Sequence, residues 1–333
     1  MWMAVDAMSG DHGAVPLVQG AVAAAREMDA HIILVGDEKI ITAEIQRQGY
    51  KGENIRVVHT KEIITMHESP AMAVRQKKDA SVCVAAKLVA QGEALGFFSP
   101  GNTGATMAAA LAHVGRIDGV KRPAIATPIP REDGLATVLL DSGANVDCKV
   151  EYLTQFAIMG EIYSREIMGV INPKIGLISN GEEDTKGNEQ TLAAIHRLRK
   201  LPYDFVGNVE GRDLFGTGKP VHVVVCDGFV GNIMLKTMEG LAKTIFSTLR
   251  KNINASAFAQ GGAILMKPAF LAVKNRMDYA TYGGAPLLGI NGVCIIGHGS
   301  SSARAAQNAI RVGLEFGQKN VIARIAENIK RFS

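Results

Sequence analysis

The sequence predicts an α/β protein: a doubly wound sandwich with a mostly parallel sheet and one helical hairpin set apart from it. Three observations carry this. Short apolar runs are continuous rather than alternating, as in parallel strands covered on both faces. Helix-like stretches follow them, and right-handed crossovers then wind the chain onto both faces of the sheet. Five of the runs break into small, glycine-bearing polar turns, the chain geometry found where a strand hands over to a helix.

The N-terminal third sets the rhythm. Met3–Val5 reads as a strand, followed by the turn DAMSGDHG (6–13) and an Ala-rich helix at Pro16–Met28, with proline tolerated in its first turn. His31–Val35 is a strand, Ile40–Gln48 a helix and Ile55–His59 a strand. Val82, Ala85, Ala86 and Val89 give Arg75–Gln91 the spacing of one helix. The five strand-to-turn junctions come next: Ala94–Phe98 before PGNTG (100–104), Leu135–Leu140 before SGANVD (142–147), Lys174–Ile178 before SNGEEDTKGNE (179–189), Val221–Val225 before CDGFVGN (226–232), and Val293–Ile296 before GHGSSS (297–302). No repeat, low-complexity tract or linker interrupts the chain, so a single domain over 1–333 is expected.

One stretch departs from the rhythm, from Ile233 to about Ala280. Met234, Met238, Leu241, Ile245 and Leu249 share one helical face, and a second apolar stretch follows Lys267-Pro268. Two helices with a tip around Gln260-Gly261-Gly262 are expected. Seven basic residues (Lys236, Lys243, Arg250, Lys251, Lys267, Lys274, Arg276) stand here against two acidic ones, Glu239 and Asp278. Apolar residues flanked by bases are what an interfacial element needs to enter a lipid headgroup layer. A subunit-packing hairpin has the same pattern.

Composition narrows the function. At 47% apolar and 20% charged, 333 residues can bury a full core. A net charge of +4 with 5% aromatic residues, and no basic stripe interleaved with rings, argues against nucleic acid. Cys83, Cys148, Cys226 and Cys294 are scattered without metal-ligand spacing, as for buried thiols in a reducing cytoplasm. The uncharged windows 94–115 and 279–303 are broken by Gly, Pro, Asn or Ser, so neither reads as a membrane span. The N-terminus lacks the basic-then-apolar pattern of a signal peptide.

The turns carry the chemistry. Backbone N–H groups at helix N-termini favour anions. Asp6 and His12 lie in the first turn; Gly101, Asn102, Thr103 and Gly104 form a phosphate-type turn that lacks the P-loop lysine and the dinucleotide fingerprint. Lys186, among Glu182, Glu183 and Asp184, can neutralise a phosphate or an oxyanion; the acids favour the following helix dipole more readily than a metal. Asn232 suits an oxyanion or a helix cap. His298 stands between two glycines, and Ser300–Ser302 offer a cap or phosphate contacts. A nucleophilic serine is not indicated, for there is no GxSxG.

Taken in order, DAMSGDHG, SPGNTGA, LDSGANVD, GEEDTKGNE, CDGFVGNIMLKTMEG, YGGAPLLG and HGSSS resemble the bacterial acyl-acyl carrier protein:phosphate acyltransferase family over nearly the whole chain. Ser9 stands where that family usually has glycine, Pro100 where it has alanine, Gly13-Ala14 where it has Ala-Pro, and Val230 where it has threonine. The resemblance implies a three-layer α/β/α sandwich like that of phosphotransacetylases and isocitrate or isopropylmalate dehydrogenases, usually dimeric. It implies an acyl-carrier-protein thioester and inorganic phosphate as substrates, no cofactor or metal, and delivery of acyl phosphate to a membrane glycerol-3-phosphate acyltransferase. The expected protein is thus cytoplasmic and peripherally attached to the inner face of the membrane. Lys186, Asn232 and His298 are the expected catalytic residues. Asp6, His12, Gly101, Asn102, Thr103, Gly104, Asn145, Asp227, Gly231 and Ser300 are the expected phosphate and substrate contacts. All these turns are expected to line one pocket.

Overall fold

The computed structural model describes residues 1–277 and 279–333, so Asp278 of the expected hairpin lies outside the described residues. In chain order the strands are β1 (Trp2–Asp6), β2 (His31–Gly36), β3 (Ile55–His59), β4 (Gly96–Ser99), β5 (Ala124–Pro130), β6 (Ala136–Leu140), β7 (Lys174–Ile178), β8 (Asp204–Val209), β9 (Val223–Val225), β10 (Ala285–Leu288) and β11 (Val293–Ile296). The α-helices are α1 (Ala14–Glu27), α2 (Glu38–Arg47), α3 (Pro70–Gln76), α4 (Ser81–Ala90), α5 (Thr103–Ala109), α6 (Val150–Glu166), α7 (Glu189–Leu198), α8 (Gly228–Asn254), α9 (Ala257–Met277), α10 (Ala303–Gln318) and α11 (Val321–Phe332).

The strands form one 11-stranded sheet in the order β3-β2-β1-β4-β11-β10-β5-β6-β9-β7-β8. Pairing is parallel except at the centre, where β11, β10, β5 and β6 alternate in direction. Three reversals make the two outer halves run oppositely. Both faces are buried, as the continuous apolar runs predict. On β1 and β2, Met3, Val5, Ile32 and Leu34 enter one apolar cluster, while Ala4, Ile33 and Val35 enter the cluster on the other face. A one-residue slip would exchange the two sets, so the register is firmly held.

Two expectations are corrected. The single helix over Arg75–Gln91 is two, because Ser81 N donates to Glu62 O at 2.9 Å, and Lys77 Nζ binds Glu68 and the Ile63 carbonyl across the break. The hairpin turns at Ala255-Ser256 rather than at Gly261-Gly262. Ser256 starts α9 by accepting from Gln260 N through its carbonyl (3.0 Å) and from Ala259 N through its hydroxyl (3.4 Å). The two glycines stay inside α9, at a cost of about 1 kcal/mol each relative to alanine.

The root of α8 packs on the sheet through Val230, Met234, Leu235 and Met238 against Leu139, Val209, Val224 and Cys226. Past that root the hairpin buries little. From Asn232 to Arg276, every residue whose burial is described is exposed or half-buried. Phe258, Ile264 and Leu265 are 93%, 74% and 84% exposed, so an apolar surface is left uncovered by this chain. No described helix is long and apolar enough to cross a membrane.

Candidate active site

The glycine turns gather into two groups rather than one. The first stands at the carboxyl ends of β1, β4 and β11. Asp6, fully buried, accepts from Ser99 Oγ (2.7 Å) and from the backbone N–H groups of Met8 and Ser9 (both 3.3 Å). Asp11 N donates to Gly299 O at 2.7 Å, joining the first turn to the last. Asn102 caps α5 by accepting from Ala105 N at 3.1 Å, and its amide nitrogen faces the carbonyls of Thr65, Met66 and Glu68. Ser300 N donates to His298 Nδ1 at 3.2 Å, and Ser300 Oγ lies 2.8 Å from the same nitrogen. His12, Thr103 and His298 are exposed.

The glycines of this group let neighbouring residues pack closely against the turn. A Cβ on Gly101 would meet Ser9 Cβ at 2.8 Å, and one on Gly104 would meet Pro70 Cγ at 2.6 Å.

The second group stands at the carboxyl ends of β6, β7 and β9. Asp141, fully buried, is its hub. Oδ1 accepts from the backbone N–H groups of Ile125, Gly143 and Ala144, and Oδ2 from Asn145 N (2.7 Å) and Asn145 Nδ2 (2.9 Å). Burial pushes this carboxyl above its ordinary value, and the donors pull back against that rise. Asn145 spends its amide on Asp141 and on the Pro123 carbonyl (2.7 Å). Asp227 caps α8 by accepting from Val230 N at 2.8 Å. Gly231 lets that helix pass over the Asp141 carbonyl, where any side chain would collide. Asn232 follows, exposed, beside Gly143.

Here a cleft of ≈ 440 Å³ opens, with Leu153, Leu177, Ile178, Cys226 and Val230 giving it an apolar floor. Its polar rim includes Ser179, Asn180, Asn188, Gln190, Thr191 and Asp227. Three helices begin at this cleft: α6 contributes Leu153, α7 starts after its cap Asn188, and α8 starts after its cap Asp227. Their dipoles all present positive ends to the same space.

The acids of the 182–184 run are drawn away from it. Glu182 pairs with Arg212 (3.0 Å) and Asp184 with Arg199. Lys186 is exposed next to Gly187, which lines the cleft, and among the described residues no carboxylate forms an ion pair with it. Burial pushes the Cys226 thiol well up and the Cys148 thiol up to about 12, so neither is a ready thiolate.

The two groups are offset across the centre of the sheet. Leu140 pairs with Ala126, Ile125 with Leu287, and Ala285 with Ile296, so Asp141 ends level with Cys294 rather than with His298. Three strand spacings, roughly 14 Å, separate β6 from β11. Ala144 packs on the apolar cluster that includes Ala105 and Ile296, so the groups flank a common ridge. Lys186, Asn145, Asp227, Gly231 and Asn232 thus share a neighbourhood, while Asp6, His12, Gly101, Asn102, Thr103, Gly104, His298 and Ser300 belong to another.

Sequence reasoning passed over Asp141 and Leu153. The aspartate stood in view in LDSGANVD, where Asp before Ser-Gly announces an Asx-type turn. Leu153 carried no such signal, because α6 is buried on every side from Leu153 to Ser164 and one apolar residue there does not stand out.

Comparison with known proteins agrees with this architecture. A family described as "Fatty acid synthesis protein" matches residues 1–324. The phosphate acyltransferase of Leptospira biflexa is 58% identical over 100% of this chain and 98% of its own, and that of Pelotomaculum thermopropionicum is 52% identical over 99% and 95%. A phosphotransacetylase from Streptococcus pyogenes shares the fold at a TM-score of 0.64 with 17% identity, covering 96% of this chain and 94% of that one. A 4-hydroxythreonine-4-phosphate dehydrogenase from Klebsiella pneumoniae does so at 0.52 with 12% identity, covering 96% and 99%. Identity at this level over the whole length makes the chain a member of the phosphate acyltransferase family.

Proposed function

We propose that this chain moves an acyl group from an acyl-carrier-protein thioester to inorganic phosphate, releasing acyl phosphate and the carrier thiol, as an early step of phospholipid synthesis. The observation that carries the reading is the cleft in which three helix N-termini meet over an apolar floor. The N-termini suit a phosphate; the floor suits the first carbons of a fatty chain.

Phosphate is anionic at neutral pH and attacks the thioester carbon directly. A P–O–C bond forms, the C–S bond breaks and the thiolate leaves, so no enzyme nucleophile is needed. Lys186 and the turn amides hold the phosphate and screen its charge. Asn232, one turn into α8, donates to the oxyanion that develops. His298 lies in the other group, so the thiolate, with a pKa near ~8.5, takes its proton from solvent.

Incubating the protein with palmitoyl-carrier protein and phosphate, then trapping briefly with hydroxylamine, tests this: acyl hydroxamate above the slow background of the thioester itself is expected only when protein and phosphate are both present. A product from palmitoyl-coenzyme A and not from the carrier-protein thioester would favour a phosphotransacetylase-type enzyme.

We further propose that the uncovered hairpin serves two contacts: a second copy of the chain along its shaft, and anionic lipid at its tip. Acyl phosphate is then released at the inner face of the membrane, within reach of a glycerol-3-phosphate acyltransferase. The exposed Phe258 and Leu265, beside Arg250, Lys251 and Lys267, support the lipid contact. Leu265→Glu should abolish co-sedimentation with phosphatidylglycerol vesicles; unchanged sedimentation would remove the lipid assignment.

A further inference from the structure

The turn that carries Lys186 is not held by its own residues alone. Asn208, fully buried near the end of β8, donates from Nδ2 to the carbonyls of Glu183 (2.8 Å) and Lys186 (3.1 Å). Lys186 N closes the same loop on Glu183 O at 3.0 Å. Beneath it, the Lys186 stem crosses Gly181, where a Cβ would stand 2.8 Å from Lys186 Cγ.

Two features show that Asn208 is there for this grip. The β7–β8 register shifts between Ile175 and Leu177, so that three steps on β8, Phe205 to Asn208, match two on β7, and Gly207, at φ 85°, lies within the extra length. The shift swings the Asn208 side chain under the turn, as bulges beside functional sites commonly re-aim one residue. The second feature is a cost: among the described residues, Asn208 Oδ1 is buried without a hydrogen-bond partner. A group that merely filled the core would be apolar here, since a buried unpaired oxygen is unfavourable. Lys219 adds a brace by donating from Nζ to the Asn208 carbonyl at 3.2 Å.

We infer that Asn208 is a positioning residue for phosphate: by clamping the carbonyls of Glu183 and Lys186 it fixes where the Lys186 ammonium meets the anion. This rests on the reading of Lys186 as the phosphate-holding cation. Displacement of a reacting group by about 1 Å costs up to about 10²-fold.

The test is a double-mutant cycle on the full-length protein, measuring acyl phosphate formed from palmitoyl-carrier protein at varied inorganic phosphate. Asn208→Ala should lower kcat/KM for phosphate by roughly tenfold to a hundredfold. In the Lys186→Ala background the same change should cost less than about twofold, because the group it positions is gone. Asn208→Asp, of the same size but with an acceptor in place of the donor, should lose at least as much as Asn208→Ala near neutral pH. It should recover as the pH falls and its carboxyl gains a proton to donate. Thermal melts over the same pH range identify a variant that merely loosens the fold, since its melting temperature would fall and recover with the activity. Equal losses from Asn208→Ala with and without Lys186 would overturn the inference and leave the reading of Lys186 intact. Normal turnover in Lys186→Ala would overturn both.

Discussion

The two groups of turns are built from the same vocabulary of glycine, serine, asparagine and aspartate, yet they end in opposite conditions. In the group at β1, β4 and β11, the buried polar atoms satisfy one another, with His12 and Thr103 exposed at the edge: Asp6 is consumed by Ser99, Met8 and Ser9, and Asn102 by a cap and a set of carbonyls. In the group at β6, β7 and β9, the internal work falls on Asp141, Asn145 and Asp227, and Lys186 and Asn232 are left facing outward beside an open cleft. A glycine-rich corner after a strand is therefore half of a binding site. The other half is polar groups to spare once the corner has been closed.

That contrast can be broken most severely by turnover. Asn232→Ala should cost roughly 10²–10³ in kcat, the usual effect of removing one oxyanion donor, whereas His298→Ala should cost under roughly tenfold. The hydroxylamine assay measures both, and a His298 loss matching that of Asn232 would put the two groups in one reaction.

Stability should show the reverse order. Asp6→Ala strands the Ser99 hydroxyl and two backbone donors in the interior, so unfolding in urea should be easier by about 1–3 kcal/mol. Lys186→Ala removes an exposed side chain, and its unfolding free energy should stay within about 0.5 kcal/mol of the parent.

The smallest effect lies at the far ends of two strands that carry the cleft. His222 accepts from Lys174 N through Nδ1 at 3.0 Å at the amino ends of β7 and β9. Burial first, then Arg131 and Lys174, hold its imidazole below the ordinary histidine range. The unfolded chain thus binds the proton more readily. The stabilising contribution is complete above about pH 6.5 and shrinks as the pH falls towards the folded value. Urea midpoints of the parent should drop between pH 7.5 and 5.5 more steeply than those of His222→Asn. Parallel slopes would clear His222 of the effect.

Much of this was written in the sequence. Ile55–His59, Lys174–Ile178 and Val293–Ile296 are strands over the residues that their apolar character marks. The two middle strands of the central seam were not legible, because Pro128 and Pro130 in β5 and Pro286 in β10 argue against strands. With the seam unseen, so was the reversal of direction between the two outer halves of the sheet. The hairpin tip was misplaced for a related reason. Paired glycines signal a turn only where nothing better stands nearby, and Ser256 offered a cap five residues earlier.

The seam has a consequence for how the chain matures. β11 lies between β4 and β10, and α10 covers the sheet beside α1, so the last fifty residues complete the layer that the first hundred begin. While translation is under way, the nascent amino-terminal half has an unpaired β4 edge and a bare apolar face. Its closure waits on the synthesis of β11 and α10. Until then, the segment that emerges first is the one most in need of a chaperone.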